Sequence, residues 1–112
     1  MRSVAIKRAY DPPSPNDGTR ILVDRLWPRG VAKAKIKLDG WSKDVAPSPG
    51  LRKWFDHRPE RFAEFAKRYR AELKHNAALD ELRALKGKVT LVYGARDPAI
   101  NHAVVLAKVL KR

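Results

Sequence analysis

The chain has 112 residues, enough for one domain with a single core. Its 44% hydrophobic and 33% charged residues exclude a disordered or fibrous chain, and the absence of cysteine excludes a disulfide framework and thiolate chemistry. Lys and Arg number 25 against 12 Asp and Glu, a net charge of +13 spread along the whole length, which favours anionic partners: nucleic acid, nucleotides or phosphorylated metabolites.

The bland account of that charge is solubility alone. Apolar runs fall far short of the ~20 residues a membrane span needs. Met1-Arg2-Ser3-Val4 lacks the apolar core of a signal peptide, so the expected compartment is the cytoplasm.

Val4 and Ile6 alternate with Ala5 and Lys7, which predicts a strand over 3–9. Residues 11–18, DPPSPNDG, form a loop. RILVDRLW, 20–27, reads as a second strand, and its unbroken Ile21-Leu22-Val23 suits a strand covered on both faces. Lys33, Lys35 and Lys37 carry no strong fold signal, and 38–47 suggest one or two helical turns around Trp41. Ser48-Pro49 opens a short helix through Trp54 and Phe55.

Pro59 opens the clearest helix, with Phe62, Phe65, Ala66, Tyr69 and Leu73 on one face and Glu64 and Arg68 paired off it. Asn76 caps the next, which buries Leu79, Leu82 and Leu85 and stops at Gly87. VTLVYGA, 89–95, is a third buried strand. Asp97 caps a last helix over about 98–111, with Pro98 in its first position.

This order predicts an α/β fold: a small three-layer domain over 1–112, with a short, largely parallel sheet flanked by helices. Residues 10–19 are short for a parallel crossover, so an antiparallel pairing of the first two strands stays open.

In open parallel sheets ligands gather at the carboxyl ends of the strands. Two stretches should meet there: DRLWPRG, 24–30, and YGARDPAINHA, 93–103. Arg25 and Arg29 offer planar forks for phosphate or carboxylate, Arg96 precedes a helix start that attracts anions, and His102 could move protons. Each has a plainer alternative. Asp24 could hold Arg25 or Lys7 in place, and the two arginines could pair with Asp44 or Asp56. His102 and His57 could be structural, and Trp27, Trp41 and Trp54 core or pocket wall.

Absent motifs narrow the chemistry. There is no GxxxxGK[ST], GxGxxG or GxSxG, and His57, His75 and His102 lack metal-ligand spacing.

KRAYDPPSPNDGTRILVDRLWPRG, LDGWSKDVAPSPGLRKWFDHRPERFAEFAKRYRAEL and VTLVYGARDPAINHAVVL together resemble the YeaO-like family, a branch of the domain of unknown function four-eight-eight. The resemblance covers nearly the whole chain. It implies a small α/β fold with a largely parallel sheet and supplies no function. The wider superfamily often carries cysteines where this chain has Tyr93 or Gly94 and Asn101, so a thiol or metal mechanism is in doubt for this branch.

The leading expectation is a small cytoplasmic enzyme, or former enzyme, that binds an anionic small molecule in the crevice. Arg25, Arg29, Arg52, Arg96, Asn101, Tyr93 and Trp27 are its contacts, His102 is a general acid or base, and Asp24 orients it. The rival is a nucleic-acid-binding module using the basic surface and the aromatics. Neither reading names a cofactor, a substrate or an oligomeric state.

Overall fold

The computed structural model describes residues 1–112. Alternation does what it should in the first strand: in β1, Ser3–Arg8, Val4 and Ile6 point to one face and Ala5 and Lys7 to the other. β2 spans Thr19–Leu22, β3 is the two-residue Gly40–Trp41, and β4 spans Lys88–Tyr93. All pairings are parallel, in the order β1-β4-β2-β3. β4 therefore runs down the middle, with Ser3–Arg8 opposite Lys88–Tyr93 on one side and Thr19–Leu22 opposite Val89–Val92 on the other.

The antiparallel option for the first two strands is overturned, because β4 lies between them. Residues 9–18 carry the chain across β4 without an α-helix. They do so with a 3₁₀ turn, Pro15–Asp17, pinned at both ends: Asn16 N donates to Ser14 Oγ, and Ser14 N to Asp17 Oδ2. The crossing is tight enough that the Thr90 hydroxyl, in the middle of β4, donates to Asp17 O at 2.6 Å. Asp17 also takes Lys7 Nζ at 3.0 Å and Arg20 Nη1 at 2.6 Å, so a buried carboxylate locks β1 and β2 to the loop between them.

The two sheet faces are covered unequally. Val4, Ile21, Val23, Val89, Leu91 and Tyr93 face the main core. Over them pack α2 (Pro49–Phe55), α3 (Phe62–Leu73), α4 (Ala77–Arg83) and α5 (His102–Leu110). Leu22, Val92 and Ala9 face a smaller cluster with Ile36 of α1, Lys33–Ile36, and with Trp27, Val31 and Leu38. Val23, Leu91 and Leu106 expose nothing to solvent. Burial of each stabilises by about 1.5–3 kcal/mol.

Three expectations need correction. The second strand ends at Leu22, not at residue 27. Val23 N still bonds Val92 O, but Asp24 then turns its carboxylate to the backbone of Gly94 and the ladder stops. Trp41 lies in a strand beside Leu22, and the helical turn comes only afterwards, as 3₁₀ at Lys43–Val45. The last helix begins at His102, four residues later than its expected start.

Candidate functional site

β2 and β4 are neighbours, so their carboxyl ends lie side by side, and each emits a functional stretch there. Asp24 is the second residue past β2, and Gly94 the first past β4. Asp24 Oδ2 accepts the Gly94 N–H at 2.8 Å and so ties the two strand ends together. A side chain at 94 would crowd this contact, since a Cβ there would sit 3.0 Å from the same carboxylate oxygen, which would have to give by a few tenths of an ångström.

His102 closes the pair from α5. Its Nε2 lies 3.1 Å from Val23 O and 3.1 Å from Asp24 Oδ1. Both neighbours are acceptors only, so Nε2 must carry the proton when the ring is neutral. The well-directed hydrogen bond goes to Val23 O, and Asp24 Oδ1 is left with an electrostatic contact alone. Nδ1 is thus the ring atom left with a lone pair when the ring is neutral.

Tyr69 of α3 stands edge-on to His102, ring centres 6.3 Å apart. Burial pushes its hydroxyl far up, with Glu72 and Asp24 adding to the effect, so it stays a donor, bonded to Val45 O at 2.6 Å.

The start of α5 differs from expectation in its cap. Asn101, not Asp97, caps the helix, accepting the otherwise free N–H of Val104, its third residue, at 3.1 Å. Asp97 instead makes a turn before the helix, accepting from Ala99 N and Ile100 N, while Asn101 Nδ2 donates back to Asp97 O at 2.7 Å. Asn101 is 2% exposed, so these bonds replace the water it gave up.

Asp24, Arg25, Arg52, Asn101 and His102 line one chamber of about 100 Å³. Leu26, Ala46, Pro47, Phe55, Phe65 and Ala95 complete the wall. Arg25 donates through Nη2 to Ala46 O and Pro47 O at 3.3 and 3.4 Å, long bonds that leave its other donors uncommitted. Arg52 comes from the middle of α2, whose start is fixed by Ser48 Oγ accepting from Leu51 N. Two guanidiniums against one carboxylate make the chamber positive.

Other expected contacts lie elsewhere. Arg29 and Arg96 are exposed and outside the chamber wall. Trp27 faces the opposite side of the sheet, bonded to Val31 O and edge-on to Trp41 at 5.4 Å. Tyr93 is buried in the main core, where burial raises its hydroxyl against the opposing pull of Arg8 and Asn101. His57 and His75 are exposed. Asp44 and Asp56 take neither arginine; Asp56 pairs with Arg58. No three His, Asp or Glu side chains stand close enough to hold a metal ion, and no helix is long and apolar enough to cross a membrane.

Phe65 is legible only as a core residue and Phe55 only as part of a short helix, although both also wall the chamber. Nothing in their spacing distinguishes the two uses. Ala46 and Pro47 act through backbone carbonyls, which leave no side-chain signal.

A family model described as "Inactive DUF488-N3 subclade" matches residues 3–112. An uncharacterised protein of Mycobacterium tuberculosis is 51% identical over 109 residues, covering 96% of this chain and 92% of its own, and one from Mycobacterium bovis gives the same figures. The uncharacterised protein YeaO of Escherichia coli is 45% identical over 112 residues, covering 97% of each chain. No solved structure matches.

Proposed function

The chain belongs to the domain-of-unknown-function family described as the inactive DUF488-N3 subclade, and from that premise we propose that it binds a small phosphate- or carboxylate-bearing molecule without turning it over. The observation that carries this reading is the meeting of Arg25, from just past β2, with His102, the first residue of α5, in one chamber.

The size of the chamber, about 100 Å³, suits one oxyanion group, since a water takes up ~30 Å³ of liquid. Arg25 and Arg52 supply the forks, and the net charge of +13 raises the local anion concentration. Leu26, 61% exposed at the rim, gives an apolar surface for the rest of a larger ligand. Asp24 acts as a positioning residue, holding His102 through Nε2–H, and Nδ1 is the atom that shares a proton with the bound oxyanion.

Calorimetric titration with inorganic phosphate and with adenosine monophosphate tests the reading. Saturable one-to-one binding is expected, and Arg25→Ala should weaken it roughly tenfold or more, the worth of one charge-assisted hydrogen bond. Arg25→Ala binding as tightly as the wild type, or no heat from either anion at millimolar concentration, would defeat it.

A further inference from the structure

A larger cavity lies away from this chamber. It is a groove of about 510 Å³ between α3, α4 and the end of α5. Lys67, Arg70, Lys74, Arg83 and Arg112 line it, with Asp80 the single acid.

The fold sorts the charges of α3 to produce this. Glu64 is taken up by Arg68, and Glu72 by the backbone and hydroxyl of Ser48 at the start of α2. Arg68 also lies over the ring of Trp54. Both acids of the helix are thereby spent on the side facing α2. Lys67, Arg70 and Lys74 recur at helical spacing on the other side, over about 10 Å of helix rise, and form no ion pair. Arg83, from the end of α4, keeps one nitrogen on Val109 O and is otherwise without a charged partner.

We propose that this groove is a docking surface for the phosphate backbone of a nucleic acid duplex. Charge complementarity sets the sign of the partner: unpaired cations in a row match a row of phosphates. The lining sets its kind. No aromatic side chain lines the groove, so there is no platform on which the bases of a single strand could stack. Its apolar floor, Leu73, Leu79 and Val109, is buried, so a protein segment would find little to anchor on. Contacts of this type position a duplex without reading its sequence.

The test is fluorescence anisotropy with a labelled duplex of mixed sequence, the matching single strand, and polyglutamate, each over a range of salt. Three to five phosphates neutralised predict a slope of log affinity against log salt of about −3 to −4.5 for the duplex. In the double variant Arg70→Glu, Lys74→Glu the slope should flatten by about 2 and the affinity drop about tenfold or more, while Arg25→Ala leaves both unchanged. If circular dichroism shows that the charge reversal unfolds the chain, Arg70→Gln, Lys74→Gln serves instead. Equal or tighter binding of the single strand or of polyglutamate, or a slope untouched by the groove variants, would overturn the proposal. Because Arg25→Ala disables only the chamber, failure here and failure of the small-anion reading are separable.

Discussion

Asp24 Oδ1 and His102 Nε2 lie 3.1 Å apart, joining the exit of β2 to the first turn of α5 across most of the chain. The carboxylate is committed on its other oxygen to Gly94 N–H. One acid therefore ties two neighbouring strand ends together and stands beside the ring nitrogen that Val23 O orients.

Asp24→Asn exposes that arrangement. The amide oxygen must keep Gly94 N–H, which turns the NH₂ group toward Nε2–H, donor against donor. Swapping the tautomer relieves that clash but sets a lone pair against Val23 O. Either way one buried polar group is mismatched, and the variant should lose about 1–3 kcal/mol in urea unfolding. Long-range proton–nitrogen spectra of the wild type should show the neutral ring protonated at Nε2. A ring protonated at Nδ1, or a variant as stable as the wild type, would refute this account.

The cap of α5 makes a second, cleaner case. Asn101→Ala removes the acceptor for Val104 N and the donor to Asp97 O. It should cost about 1–2 kcal/mol, the upper part of the usual range for a lost cap. Asp97→Ala removes only an exposed turn ahead of the helix, and should cost less than half as much. Thermal melts of the two variants decide which residue starts the helix; an Asp97 loss exceeding that of Asn101 would restore the earlier start.

These residues also show what the sequence made legible. Apolar periodicity placed α3, and buried runs placed β2 and β4, because burial dictates residue type directly. The chamber was visible through Arg25, Asn101 and His102, since strand ends and helix starts are where polar groups cluster; Arg52, in the middle of α2, has no such signal. The start of α5 was not visible: Asp97-Pro98 reads as its cap, whereas the local bonds from Asn101 Nδ2 back to Asp97 O and from Val104 N to Asn101 Oδ1 start the helix at His102. Likewise Asp17 looked like an ordinary loop acid. Its partners Lys7 and Arg20 come from strands whose separation by β4 no local pattern announces.

That crossing depends on Gly18, which sits at φ +65° with room for no side chain: a Cβ would fall 2.3 Å from Lys88 O, in the backbone of β4. Gly18→Ala should therefore cost roughly 3 kcal/mol or more, from backbone strain together with displacement of a central strand. Gly87 has a similar φ, +72°, but open space where its Cβ would go. Gly87→Ala should cost only about 1 kcal/mol. Equal losses in chemical denaturation would show that the close approach at Gly18 does not matter.

Asp17 should make the fold sensitive to acid. Burial on its own would raise the carboxyl, but hydrogen bonds from the Ser14 backbone, Lys7 and Arg20 outweigh burial and hold it below the ordinary aspartate value. A carboxyl depressed in the folded state adds stability that is complete above the unfolded-state value, about 3.9, and is lost as pH falls through the folded-state one. Unfolding free energy should therefore fall below about pH 4, this group contributing a slope of at most about 1.4 kcal/mol per pH unit. Asp17→Asn should lack that part of the slope. At neutral pH it should already be less stable by roughly 3 kcal/mol, because Arg20, nearly inaccessible to solvent, keeps its charge and loses its counter-ion. Denaturant titrations of both proteins at a series of pH values measure the two effects together, and identical acid limbs would remove Asp17 as the cause.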